Sequence, residues 1–304
     1  MSINKYKESD MDQNLQNVCQ AILQPEGDDL LRLMRAVYLH QAEKIPLILS
    51  PQKQLLDKAR ELGLLVAKVH QVDMTPMGYM IGSIAKEYCN WVDNQRRMPA
   101  PRPPESFIAD KDVLDLGCSF GRWIWEFQPS ARSVLGIELQ PEYVELGKVL
   151  ARKENKSVPN IIQDSAENLH AHVSPQSLDF IFARLVFNHI AIRSTLNQIS
   201  EALRPGGIAW LQVETFSQTL KLFLRREKRL RSKVFQFFAV LNSLLCMVCG
   251  LQLSLRTKGR MHSVHKPAFP SLRWWKKTCA SAGLTDFHLE YHEGGTAAFW
   301  VRKS

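Results

Sequence analysis

The segment KDVLDLGCSFGRWIWEF, residues 111–127, constrains this chain more than any other. Val113, Leu114 and Leu116 surround Asp115 in the pattern of a short buried strand, and Gly117, Ser119 and Gly121 follow before the helical run RWIWEF. A strand, a small-residue turn and a helix start make a place where backbone can approach a ligand closely. The next stretch repeats the order. Its strand, Val134–Ile137, ends at Glu138, and a helix follows with Pro141 near its start. Strand–helix units in succession are the pattern of an α/β fold.

Glu138 lies 21 positions beyond Gly117. An acidic side chain at that spacing can accept hydrogen bonds from both ribose hydroxyls of a nucleoside. The residues alone leave several readings open. A dinucleotide site prefers GxGxxG, and Arg122 occupies the position after Gly121. The string GCSFG also matches the GxSxG nucleophile elbow, but that reading needs several strands upstream and gives Asp115 and Glu138 no role. A catalytically silent version of a nucleoside-binding fold is a further alternative.

The segment resembles motif I of the class I S-adenosylmethionine-dependent methyltransferases, an acidic residue followed by GxGxG, with Ser119 in place of the middle glycine. NIIQDSAENL (160–169) is similar to the third-strand motif of that family. SLDFIFARLVFNHI (177–190) resembles its fourth strand and following loop, and EALRPGGIAWLQVE (201–214) its Pro-Gly-Gly turn and fifth strand. The resemblance implies a Rossmann-like seven-stranded sheet, mostly parallel with an antiparallel last strand. It implies S-adenosyl-L-methionine as cofactor, leaving as S-adenosyl-L-homocysteine. Asp115 would receive the methionine amino group, and the turn Gly117, Cys118, Ser119 and Gly121 would pass beneath the methionine part. Glu138 would hold the ribose, with Leu139 beside it. Asp164 would approach the adenine amino group, Ser165 and Ala166 would line the adenine, and Arg184 would stand at the tip of the fourth strand. His189, after that strand, is the candidate general base, since a neutral imidazole suits a phenol, hydroxyl or amine acceptor. Glu214, at the end of the fifth strand, is the candidate for orienting the acceptor. A packed or capping histidine and a solvated strand-end acid are the plainer alternatives.

The charge is unevenly spread. Residues 1–110 carry 13 basic and 14 acidic residues and 111–214 carry 10 and 12, whereas 215–304 carry 16 and 4. Only the last region invites an anionic partner. There KLFLRREKRLRSK (221–233) has seven basic residues and one acid, and no charge occurs from Val234 to Leu255. The region reads as a basic and apolar lid inserted at about 215–268. Peripheral contact with an anionic membrane through 221–260, and a spanning helix, are alternatives. LTDFHLEYH and GTAAFWVRK read as the two final strands.

The rest of the chain sets bounds. With 45% hydrophobic and 23% charged residues in 304, it is globular rather than disordered, collagenous or coiled-coil. Residues 1–107 read as a mainly helical extension, with strands at 45–50 and 64–72. MPAPRPPESF (98–107), with four prolines, marks the boundary before a methyltransferase domain over 108–304. Cys246 and Cys249 have CxxC spacing without a second pair, and His262 and His265 stand three apart, so no metal site is expected. The polar start and scattered cysteines lead to a cytoplasmic expectation, with membrane association left open. No NPPY-like or DPPY-like string follows the fourth strand, which disfavours adenine or glutamine nitrogen as acceptor. The expected activity is methyl transfer to an oxygen, nitrogen or carbon of a small, lipophilic or aromatic metabolite. An RNA (tRNA or rRNA) methyltransferase using 221–233 and a non-catalytic scaffold are the alternatives. Nucleic acid is the less favoured partner, and the oligomeric state is not fixed by the sequence.

Overall fold

The computed structural model describes residues 8–43, 53–68, 71–97, 101–224, 230–256, 264–293 and 295–304, so the strand expected at 45–50 lies outside the described residues. The chain divides into two compact units, residues 1–99 with 141–158, and residues 100–140 with 159–304.

The first unit opens with α1 (Glu8–Leu23) and α2 (Gly27–Glu43), whose first turn carries Asp28 and Asp29 where the helix dipole favours acids. Then come α3 (Lys53–Glu61), a hairpin of β1 (Leu65–Lys68) and β2 (Gln71–Met74), and α4 (Pro76–Asp93). The stretch 64–72, expected as one strand, instead contains the first strand of this hairpin and the start of the second. Thr75 locks its base, donating its amide to the Leu64 carbonyl and its hydroxyl to the Gly63 carbonyl at 2.7 Å. The same hydroxyl caps α4 by accepting from the Gly78 amide, and Pro76 takes the first helical position, where no amide hydrogen is needed. Leu30, Leu31, Met34 and Val37 of α2 are buried, as are Ile81, Ile84 and Ala85 of α4, which packs against it.

The second unit is built on a seven-stranded sheet. Its parallel strands are β3 (Asp112–Leu116), β4 (Ser133–Glu138), β5 (Ile161–Gln163), β6 (Leu178–Arg184) and β7 (Leu203–Glu214). α5 (Arg122–Phe127) follows β3. α6 (Pro141–Lys153) follows β4 but groups with the first unit, where it packs along α1, and Glu154 just beyond it accepts from Arg96 at 2.7 Å. α7 (Ile192–Ala202) leads into β7. α8 (Phe216–Leu224), α9 (Leu230–Cys249) and the two-residue strands β8 (Leu255–Arg256) and β9 (Val264–His265) form the insertion. α10 (Leu272–Ser281) then leads to β10 (Leu284–Glu293) and β11 (Thr296–Lys303). The spatial order is β10-β11-β7-β6-β3-β4-β5, and β11 alone runs antiparallel to its neighbours. This is the expected sheet.

Alternation along the strands gives the two faces different cores. Leu114, Leu116, Ile181, Ala183 and Leu211 point to one side, into a cluster with Leu196, Trp275 and Phe299. Val113, Phe180, Phe182 and Trp210 point to the other, where Phe182 stacks on Trp210 at 5.0 Å and meets Trp123 at 4.7 Å. Each such aromatic pair adds about 0.5–1.5 kcal/mol beyond the area it buries. The register aligns Asp115 with Phe182 and Trp210, so β3 delivers a carboxylate to the aromatic face.

Candidate active site

The carboxyl ends of β3, β4 and β6 meet in the second unit, as the open parallel sheet requires for a ligand crevice. Gly117 (φ 77°) and Gly121 (φ 84°) adopt conformations that L side chains rarely take. A Cβ added at Gly117 would come within 2.8 Å of Val186 Cγ2, and one at Gly121 within 2.8 Å of Pro159 Cβ. Ser119 adopts the left-handed conformation too, at φ 54°. It holds a glycine-like turn at a cost of about 1 kcal/mol. Its amide donates to Glu138 Oε2 at 2.9 Å, which ties the turn to the tip of β4.

Asp115 is only 1% exposed, and its Oδ2 is buried without a hydrogen-bond partner. Burial pushes its carboxyl up to about 8; nearby Glu138 adds to the shift, while Arg122 and Arg184 oppose it. A buried orphan oxygen of this kind costs free energy unless something supplies a donor. Glu138 is buried as well, and its Oε1 accepts from the Gln140 amide at 2.9 Å. An ionised carboxylate can only accept hydrogen bonds, at either oxygen. Leu139 stands exposed beside it.

Asp164 follows β5, with its amide on the Glu138 carbonyl at 3.0 Å. Its Oδ1 accepts from the Ser165 amide and Asn168 Nδ2, and Oδ2 lies 2.6 Å from His172 Nε2. His172 first, then Asn168 and the Ser165 amide, hold this carboxyl below the usual range. Ser165 caps the 3-10 turn Ala166–Ala171, and Ala166 is buried. Arg184 ends β6 and donates Nε to Gln212 Oε1 at 2.6 Å. The Cys118 thiol is turned inward, 2.6 Å from where a Cβ on Gly136 would stand, and burial raises its pKa well above the ordinary thiol value. Only the backbone of Cys118 is left to face a ligand.

His189 is exposed in the turn after β6, its amide donating to the Val186 carbonyl and its own carbonyl accepting from the Lys266 amide. Glu214 ends β7, two strands away from β3 in the sheet order; it is half-buried, and burial raises its carboxyl. The structure therefore gathers Asp115, Ser119, Glu138, Asp164 and Arg184 at adjacent strand tips and leaves His189 and Glu214 on the β6–β7 side. Two further residues join the cluster, buried Arg122 beside Asp115 and His172 on Asp164. Arg122 had a signal in its place directly after Gly121, but His172, eight residues beyond Asp164 across a 3-10 turn, had none. Among the described residues, no group of three or more His, Cys, Asp or Glu is placed to hold a metal ion.

The residues fit S-adenosylmethionine. An orphan carboxylate oxygen suits an ammonium group, a glycine turn suits the methionine chain, and an acid on the next strand tip suits ribose. Parts of the chain are similar to known proteins. Residues 113–207 match the family model described as methyltransferase domain. A ubiquinone biosynthesis O-methyltransferase of Nitrosospira multiformis is 29% identical over 118 residues, 38% of this chain and 48% of the relative; the chain thus spans about half the length of that curated relative. An S-adenosylmethionine-dependent methyltransferase structure from Clostridium acetobutylicum aligns at 13% identity over 73% of this chain and 99% of its own, with a TM-score of 0.47. A candidate methyltransferase structure from Listeria monocytogenes aligns at 18% identity over 72% of this chain and 100% of its own, with a TM-score of 0.46. The second unit carries a Rossmann-like seven-stranded sheet, and residues 113–207 within it are similar to a methyltransferase domain.

Proposed function

We propose that this chain transfers a methyl group from S-adenosylmethionine to an oxygen, nitrogen or carbon of a small, lipophilic or aromatic acceptor. The buried, unpartnered Oδ2 of Asp115 beside the Gly117–Gly121 turn carries the reading, because it needs a cationic donor at the spot where the cofactor's amino group would lie. When bound, the cofactor supplies an electrophilic methyl on sulfonium, for which alignment with a nucleophile is the main requirement. Asp115 receives the ammonium, and the turn lets the backbone run beneath the chain. Glu138 accepts from the ribose hydroxyls while Ser119 and Gln140 hold it still. Asp164, steered by His172, accepts from the adenine amino group, with Ser165 and Ala166 alongside and Leu139 offering an apolar surface. Arg184 stays fixed by Gln212. His189 takes the acceptor's proton, and Glu214, kept protonated to higher pH by burial, orients the acceptor.

The insertion favours a small acceptor held away from bulk water. Gln252 donates Nε2 to the Ile190 and Lys266 carbonyls at 2.7 and 2.6 Å and accepts from the Ile192 amide. Lys266 pairs with Glu167 at 2.7 Å. These ties fasten the insertion over the loop that bears His189. The O-methyltransferase name of the Nitrosospira relative is consistent with an oxygen acceptor in a lipophilic class.

The test has two stages. Calorimetric titration of the purified protein with S-adenosylmethionine and S-adenosylhomocysteine is expected to show uptake of both. Methyl-labelled cofactor is then expected to label a component of the organic-soluble fraction of a cell extract. No uptake would remove the cofactor assignment. Uptake with no labelling of any fraction would leave a scaffold that kept the cofactor fold.

A further inference from the structure

Helix α9 is built inside out. Val234, Phe237, Leu241, Leu244 and Val248 recur at intervals of three and four, so they form one stripe along the helix. All are exposed, Phe237 to 57% and Val248 to 81%. The opposite side is buried and partly polar. Asn242 and Ser243 are fully buried, with Gln236, Ala239 and Cys246 on the same side. The buried polar groups are satisfied rather than stranded. Asn242 Nδ2 donates to the Leu253 and Pro267 carbonyls, and its Oδ1 accepts from the Leu253 amide at 2.7 Å. Ser243 Oγ donates to the Ala239 carbonyl and accepts from the Phe269 amide at 2.9 Å. These bonds fix the rotation of α9 about its own axis, so the stripe cannot turn inward without orphaning them. Exposed Leu220 and Leu224 extend the apolar surface onto α8, which packs against α9.

The surroundings are cationic. Lys221 and Lys233 are exposed at the ends of the two helices. From Lys228 to Thr285 the sequence has 11 Lys and Arg residues and no Asp or Glu. A second copy laid on the same stripe would bring like charges together, with Glu227 the one acid between Phe216 and Thr285 in the sequence to answer them. A surface with an apolar interior and an anionic face answers both features. No helix among the described residues is long and apolar enough to cross a membrane, so the contact lies in the plane of the surface.

We infer that the α8–α9 face docks this protein onto an anionic lipid bilayer, with the Val234–Val248 stripe entering the headgroup boundary and the flanking lysines resting on the phosphates. The inference stands apart from the proposed activity, since it uses no residue of the cofactor site. The full chain should float with vesicles of equal parts phosphatidylcholine and phosphatidylglycerol about tenfold more than with phosphatidylcholine alone, and less at high salt. The double variant Leu244→Asp, Val248→Asp should lose flotation about tenfold while keeping its melting temperature and its cofactor uptake. Lys221→Gln with Lys233→Gln, remote from the buried polar anchors, should weaken only the anionic preference; it keeps the test decisive if the first variant fails to fold. Flotation unchanged by both variants, or none by the wild type, would overturn the inference. So would a dimer in sedimentation that the stripe variant dissolves, or salt-sensitive RNA retention without vesicle binding.

Discussion

Strand β3 carries two aspartates three residues apart with opposite fates. Asp112, at its amino end, sits in a cluster with Asp179, Arg132 and Arg204. Arg132 and Arg204 both donate to it, Ser133 Oγ lies at 2.8 Å, and Arg204 also reaches Asp179 at 2.8 Å. The Arg132 hydrogen bond first, with Ser133 and Arg204, holds the Asp112 carboxyl well below the usual range. Asp115, at the carboxyl end, is buried against the aromatic face with one oxygen unpartnered and its carboxyl pushed up. At one end of the sheet the carboxylates are paired with arginines, while the other end holds a buried carboxyl with one oxygen unpartnered. An unpaid polar debt at a strand tip is the mark of a binding site, and a closed network at the other end is the mark of stability.

The largest effect is expected at Asp115. Asp115→Asn should weaken S-adenosylmethionine binding by about a hundredfold, roughly 2.7 kcal/mol, in calorimetry. The ligand-free variant should melt higher than wild type at neutral pH. The sign follows from linkage. Folded Asp115 titrates near 8 and the unfolded residue near 3.9, so the folded state binds the extra proton and wild-type stability falls as pH rises between those values. Binding an ammonium ionises Asp115, so cofactor uptake at pH 7 should release a proton, measurable by titration in buffers of different ionisation enthalpy. A variant with unchanged affinity and unchanged proton release would remove Asp115 from the site.

Glu138→Ala should cost at least about tenfold in cofactor affinity, near 1.4 kcal/mol, because it removes the proposed ribose acceptor and frees the Ser119 amide. Unchanged affinity would count against the ribose assignment. Asp112→Asn tests the other side of the comparison. It should cost about 1–2 kcal/mol of stability in chemical denaturation, a figure discounted because Arg132 and Arg204 are partly exposed, and it should leave cofactor affinity unchanged. Because the folded pKa is depressed, that contribution is present above pH 4 or so and is lost as pH falls toward the folded value. A loss of affinity in this variant would mean that the two ends of β3 are not independent.

Much of the cofactor end was legible because it depends on local chemistry. A strand, a small-residue turn and an acid on the next strand follow one another in sequence, and residues 111–138 needed no distant partner to be read. The β6 and β7 segments were legible for the same reason. What the sequence concealed depends on pairing between distant residues. Asp112 and Asp179 are 67 positions apart, and nothing local marks them as a closed cluster. The Cys118 thiol lies in a turn that faces the ligand, yet φ values at Gly117 and Ser119 rotate it into the sheet. In α9 the uncharged composition suggested an apolar lid or a membrane contact, and only the partners of Asn242 and Ser243, 11 to 26 residues further on, decide which side faces in.

The smallest effect is expected at His172, and it separates two roles for Asp164. An ionised carboxylate can only accept, so His172 Nε2 donates to Oδ2 and helps keep Asp164 charged. In His172→Ala the Ser165 amide and Asn168 still hold Oδ1, so the turn should keep its shape and the melting temperature should barely move. Cofactor affinity should fall by about two- to fivefold, of order 0.4–1 kcal/mol, through a less well-oriented acceptor at the proposed adenine position. The acid side of the affinity profile should also move. His172 is the first cause of the depressed Asp164 carboxyl, so its removal lets that carboxyl rise toward the ordinary value, and affinity should start to fail at a higher pH than in wild type. A variant that loses melting temperature but keeps the wild-type pH profile would make Asp164 a cap for the 3-10 turn and nothing more. One that keeps its stability and shifts the acid limb would make the Asp164–His172 pair a positioning device for the adenine, the counterpart in miniature of the orphan oxygen on β3.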